Sequence, residues 1–126
     1  MRILAIDDSK AVHAFIKVAL NLPGVELVQA FDGAQGFETF QKLSSPVDLI
    51  LLDWEMPVQD GPTTLAALLA VGAKCPVVMM TTRNSPDDIA LMLSRGASEY
   101  MLKPFTTDIL LEKIETILAC ELPRVA

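Results

Sequence analysis

Asp48-Leu49-Ile50-Leu51-Leu52-Asp53 sets four consecutive apolar residues between two acids. A run this short, apolar at alternate and at successive positions alike, reads as a strand covered on both faces, as in a parallel sheet flanked by helices. The same design recurs outward from it. Residues 2–6 (RILAI) run into Asp7 and Asp8, 76–81 (PVVMMT) close on Thr81, and 99–103 (EYMLK) close on Lys103, followed by Pro104. Residues 25–30 (VELVQA) mix polar with apolar positions, as an edge strand with one wetter face does. Helical spacing fills the gaps. Ala11, Val12, Phe15, Ile16, Ala19 and Leu20 mark a helix over 9–21, and Phe37, Phe40 and Leu43 mark one over 33–43. A third helix is expected over 61–72. Ser85-Pro86-Asp87-Asp88 has the cap, first-turn proline and first-turn acids of a fourth, which reaches Arg95 with Gly96 as its C′ residue. Thr106 or Thr107 opens the last, which carries Leu110, Ile114, Ile117 and Leu118.

Five strands linked by helices require right-handed crossovers and a parallel sheet. Placing the least apolar strand, the second, at an edge gives the order 2-1-3-4-5, an α/β arrangement of the flavodoxin-like kind. Its switch point lies between strands 1 and 3, and ligands of such sheets bind beyond the carboxyl ends of the strands. Asp7, Asp8, Asp53, Thr81 and Lys103 all stand at those ends. Clustered carboxylates repel one another unless a cation sits among them, and a neighbouring lysine suits an anionic ligand. A phosphoryl group held against a magnesium ion satisfies all five side chains.

Composition narrows the function further. The 126 residues fit one domain, and 52% apolar content with a mean hydropathy of +0.42 supplies a core. A net charge of −6 argues against direct nucleic-acid binding, which needs basic patches. No apolar run is long enough to span a membrane, and the N-terminus enters a strand without the features of a signal peptide. Cys75 and Cys120 have no metal-type spacing and are expected to be reduced thiols of a cytoplasmic protein.

The segments IDDS at 6–9, LLDWEMPVQDG at 51–61, VVMMTT at 77–82 and GASEYMLKPFT at 96–106 together resemble the receiver domains of two-component response regulators, particularly the single-domain chemotaxis type. The resemblance runs nearly end to end. It implies a receiver over residues 1–121 with a short tail over 122–126, and a phosphoacceptor role for Asp53, supplied by a histidine kinase or a phosphotransfer protein. It further implies that Asp8 and Asp53, with the backbone carbonyl of Glu55, bind Mg2+ or Mn2+ directly, and that Asp7 acts largely through bound water. Thr81 and Lys103 would hold phosphoryl oxygens, and Tyr100 would be the aromatic switch residue. The output would be a protein effector docking on the face formed by the fourth helix, fifth strand and fifth helix, with no nucleic acid, no membrane insertion and at most weak dimerisation. Residues after the last helix are too few for an output domain, so the effector is expected to be a separate protein.

Each residue also has a plainer explanation. Asp7 and Asp8 have the residue type of helix caps, Asp53 that of a strand-ending turn, Thr81 that of an ordinary β-branched strand residue, and Tyr100 that of packing at the sheet edge. Lys103 alone would be a surface lysine, but Lys103-Pro104 is a site for a cis peptide that fixes its approach. His13 is expected to be exposed on the first helix. Glu55, Thr82 and Arg83 depart from the commonest pattern of the family. A Glu55–Arg83 ion pair and the Thr82 methyl at the cleft rim are expected to restrict water and slow loss of the phosphoryl group. Ile89-Ala90-Leu91-Met92-Leu93 is more apolar than one buried stripe requires, so part of it should be exposed, with Met92 suited to an adaptable contact. No charge falls between Asp60 and Lys74, so the outer face of the third helix, with Ala66, Ala67 and Ala70, is either a bland solvent face or a second contact surface. Two other classes remain in view. A haloacid-dehalogenase-like phosphatase would need a second acid two residues after Asp53, where only Glu55 stands. A flavin or nucleotide binder would need a glycine-rich loop after the first strand, where DDSKA has none.

Overall fold

The computed structural model describes residues 1–123 as alternating strands and helices. They are β1 (Arg2–Ile6), α1 (Lys10–Ala19), β2 (Glu26–Ala30), α2 (Gly33–Lys42), β3 (Leu49–Asp53), α3 (Gly61–Ala70), β4 (Val77–Thr81), α4 (Pro86–Ser94), β5 (Glu99–Leu102) and α5 (Thr107–Leu118). All neighbouring strands are parallel, in the order β2-β1-β3-β4-β5 expected from the sequence.

Strand periodicity divides the core in two. Ile3, Ala5, Leu49, Leu51, Val78, Met80 and Met101 face one side, where Ile16 of α1 and Leu110 and Ile114 of α5 cover them. Leu4, Ile6, Ile50, Leu52, Val77, Met79 and Tyr100 face the other, under Leu65 and Leu68 of α3 and Met92 of α4, with Phe37 and Phe40 of α2 at its margin. Every residue of β3 and β4 is buried, as the unbroken apolar runs require. The edge strand β2 is only partly buried until Ala30.

Several local expectations are corrected. α1 is shorter than 9–21: Ser9 is its N-cap, accepting from the Val12 amide, so Asp7 and Asp8 are not caps. α3 ends at Ala70 rather than 72. Ser85 occupies the N-cap position of α4, yet its side chain makes no capping bond. Met92 is fully buried against the sheet, and it is Leu91 and Leu93, 40% and 42% exposed, that face outward. The turn of α4 that places Ile89 and Met92 inward leaves those leucines on the far side. On α3, Ala66 and Ala70 are exposed, while Ala67 is half-buried. Leu122, assigned to the tail, is buried in the α1/α5 core, and its amide donates to the Glu115 carboxylate at 2.9 Å. Residues 124–126 of that tail lie outside the described residues. Cys75 and Cys120 are free thiols packed on opposite faces of the sheet, which keeps them from pairing.

Candidate functional site

The parallel register brings the carboxyl ends of β1, β3, β4 and β5 to one edge, with Ile6 beside Leu52, Asp53 beside Met80 and Thr81 beside Leu102. Backbone bonds continue past the strands: Asp7 N donates to Ala30 O, Trp54 N to Met80 O and Lys103 N to Thr81 O, at 2.8–3.1 Å. The side chains of Asp7, Asp53 and Lys103 therefore leave from a rigid frame. The Lys103–Pro104 peptide is cis, as the sequence suggested.

Lys103 Nζ lies 2.7 Å from Asp7 Oδ2 and 3.0 Å from Asp53 Oδ1. Asp7 is fully buried, and its other oxygen accepts from the Ser9 amide at 2.8 Å. Asp53 is 6% exposed, whereas Asp8 is open to solvent. Oxygens of all three acids lie within 4.8 Å of one another. One ammonium against three carboxylates leaves an excess of negative charge. Burial above all, and then the Asp7 carboxylate, push the Asp53 carboxyl up to about 6 despite the opposing pull of Lys103. For Lys103, burial disfavours the ammonium, but the hydrogen bonds and charges of Asp7 and Asp53 outweigh it and raise its pKa. An all-oxygen, charge-rich set that tolerates only one lysine among three acids fits a small hard cation such as Mg2+ or Mn2+.

A cleft of about 180 Å3 opens over Asp53, walled by Glu55, Thr81, Thr82 and Lys103. The Thr81 hydroxyl accepts from the Arg83 amide at 3.0 Å. The expected pairing of Glu55 with Arg83 is present: Arg83 Nε is 2.9 Å from Glu55 Oε1, and its Nη1 is 3.6 Å from Asp88 of α4. The same guanidinium lies 4.7 Å over the Trp54 ring, a cation–π contact. Arg83 thus ties the loop after β3 to the start of α4. Tyr100 is buried rather than in the cleft, and its hydroxyl donates to the Arg83 carbonyl. Burial raises the pKa of the Tyr100 phenol.

One contributor went unread in the sequence and another was misread. Gly61 opens α3, and a Cβ there would meet the Asp53 carbonyl and come within 2.8 Å of Trp54 Cα. Its amide donates to Trp54 O at 2.7 Å, so the glycine lets α3 close directly on the backbone that carries Asp53. The second is His13, which is 3% exposed and not a surface residue. Its Nε2 lies 2.7 Å from Asp7 O and 2.9 Å from Ala30 O, and its ring packs on Phe31 with centroids 4.3 Å apart. No helical spacing marks its burial, which depends on the carbonyls of Asp7 and Ala30.

Known proteins resemble the chain along nearly its whole length. The chain is 31% identical over 122 residues to chemotaxis protein CheY1 of Helicobacter pylori, covering 94% of this chain and 97% of that one. It is 35% identical over 117 residues to the transcriptional regulatory protein PrrA of Mycobacterium tuberculosis, covering 93% of this chain but 49% of PrrA, so it spans about half the length of that relative. The solved structure of chemotaxis protein CheY4 of Vibrio cholerae superposes with a TM-score of 0.84 at 29% identity, covering 93% of this chain and 98% of that one. The response regulator receiver domain, as a family, matches residues 3–115, and the chain belongs to that family of two-component systems.

Proposed function

We propose that the chain is a phosphorylation-controlled binding switch: Asp53 accepts a phosphoryl group from a histidine kinase or a phosphotransfer protein, and the modified form engages a protein effector. The observation that carries this reading is Lys103 Nζ bridging buried Asp7 and Asp53 beneath an open cleft with Thr81 on its wall. In the transfer, an Asp53 oxygen attacks phosphorus while the bond to the donor imidazole breaks. The imidazole leaves with that electron pair and takes up a proton. A carboxylate is a workable covalent carrier for such a group. Charge accumulating on the transferring oxygens is offset by Lys103, the kind of electrostatic stabilisation that dominates phosphoryl transfer. Asp8, Asp53 and the Glu55 carbonyl would hold Mg2+ or Mn2+, with Asp7 acting through water because both of its oxygens are already engaged, by Lys103 and by the Ser9 amide. The ion would supply further positive charge at the phosphoryl oxygens.

The Thr81 hydroxyl has its own hydrogen to donate to a phosphoryl oxygen. Because the same oxygen receives the Arg83 amide and the Arg83 carbonyl receives Tyr100, a shift of Thr81 is passed to β5 and α4. Leu91, Leu102 and Ile109, all 40–45% exposed, give the α4–β5–α5 face the apolar content of an effector surface. An apolar groove lined by Ala11, Val12, Phe15, Pro104 and Phe105 shares Thr82 and Lys103 with the cleft and suits the phosphodonor. Chemotaxis is one setting that fits, as CheY1 and CheY4 are chemotaxis proteins. A phosphatase reading is disfavoured because the Glu55 carboxylate, the acid such an enzyme would use, is paired with Arg83. The Arg83–Glu55 pair and the Thr82 side chain at the rim are expected to slow hydrolysis of the adduct.

Intact mass after incubation with acetyl phosphate, with and without magnesium, tests the reading. A single magnesium-dependent adduct of one phosphoryl group, lost in Asp53→Asn, is expected. Absence of an adduct on the wild-type chain would contradict it.

A further inference from the structure

His13 carries an arrangement that packing alone does not explain. Both neighbours of Nε2 are backbone carbonyls, which only accept, so Nε2 bears the hydrogen and is shared between Asp7 O and Ala30 O. Its other nitrogen, Nδ1, is buried with no partner among the described residues. An orphaned buried nitrogen is costly, and an apolar side chain would fill the same space against Phe31 without it. What the histidine adds is the Nε2–H donor. That donor grips the peptide joining Asp7 to Asp8, whose two carboxylates differ sharply in burial and need separate directions. Asp7 N already donates to Ala30 O, so the histidine closes a three-way junction of β1, β2 and α1 directly behind the acids. The Gln29 side chain donates to His13 O at 3.1 Å and holds the helix to the same strand.

We infer that His13 is a positioning residue for the cation site: through the Asp7 carbonyl it fixes the Asp7–Asp8 peptide and so the convergence of Asp7 and Asp8 on Asp53. The inference rests on the proposed reading of the cleft as a divalent-cation and phosphoryl site. Groups that orient metal ligands from behind commonly change affinity about tenfold or more when removed.

Magnesium titration of the full chain, followed by fluorescence of Trp54, which adjoins Asp53 and is 7% exposed, reads this directly. His13→Phe keeps a ring against Phe31 and removes the donor. It should raise the magnesium Kd about tenfold at a temperature well below its melting point, and His13→Gln, which restores an N–H, should return to within about twofold of wild type. Phosphorylation by acetyl phosphate should recover in His13→Phe at saturating magnesium, because the reacting groups are intact. A purely structural histidine would lower the melting temperature and leave the Kd of the folded protein unchanged, which would overturn the inference. Equal loss of affinity in folded His13→Gln and His13→Phe would overturn it as well. If His13→Phe does not fold, His13→Leu carries the same test. A wild-type chain that binds no magnesium would overturn the cleft reading itself, a result distinct from unchanged affinity in the variants.

Discussion

The two ends of the sheet handle charge in opposite ways. At the amino end, Arg2 bonds both Glu26 oxygens at 3.1–3.2 Å and the Ser45 carbonyl at 3.0 Å, and Asp48 accepts the Arg2 amide at 2.7 Å. Each acid there has a donor at hand, and Glu26 remains 59% exposed at its side chain. At the carboxyl end, Asp7 and Asp53 are buried, share one lysine and stand beside Asp8. The amino end is a satisfied closure. The carboxyl end stores repulsion among carboxylates that a bound cation can relieve, which is what distinguishes a site from a well-paired surface.

Removing the shared lysine should break the contrast most severely. Lys103→Met leaves two buried carboxylates without their counter-charge, so the metal-free protein should lose about 3 kcal/mol in chemical denaturation. Adduct formation from acetyl phosphate should slow about 100-fold, as expected when a preorganised charge is withdrawn from a transfer site.

The stored repulsion can also be read through pH. The Asp53 value in the folded protein, about 6, lies above the ordinary 3.8, so between those values the folded chain binds more protons than the unfolded one and stability falls as pH rises. Asp53→Asn, uncharged throughout, should therefore melt above wild type in metal-free buffer at pH 7.5. The gain should shrink as pH drops through 6 and vanish near 4. A gain independent of pH would mean that Asp53 is not held at a cost. Magnesium should reduce it by stabilising only the wild type.

The rim separates kinetics from stability. Arg83→Ala should change stability by only about 0–1 kcal/mol, since its ion pairs are exposed. Decay of phosphorylated Asp53 should nevertheless quicken in Arg83→Ala and Thr82→Ala, measured by intact mass against time. Unchanged decay in both would remove the rim from the account. Arg2→Ala, at the other end, should lower stability and leave phosphorylation untouched.

Most of this architecture was legible in the sequence because its signals are local. The runs 2–6, 48–53 and 76–81 are apolar on both faces, which specifies buried parallel strands, and the polar residue closing each run falls at the ligand-binding edge by topology alone. The Glu55–Arg83 contact was legible for the same reason, since each residue follows a strand end by two positions. His13 was not, because its burial depends on the carbonyls of Asp7, just past β1, and Ala30 of β2, which no helical periodicity reveals. Met92 was misassigned because four apolar neighbours on α4 leave its rotation to be settled by packing against the sheet. Gly61 stood within a quoted motif, yet its reason lies in the close approach of α3 to the Asp53 backbone.

On the proposed reading, one particular carboxylate, that of Asp53, carries the phosphoryl group. Borohydride reduction of the phosphorylated protein, followed by peptide mass mapping, reads that position because an acyl phosphate is reduced to the corresponding alcohol. The account predicts homoserine at position 53 and intact aspartate at Asp7 and Asp8. Homoserine at either of those acids, or a phosphorylated chain with no reducible residue at 53, would contradict it.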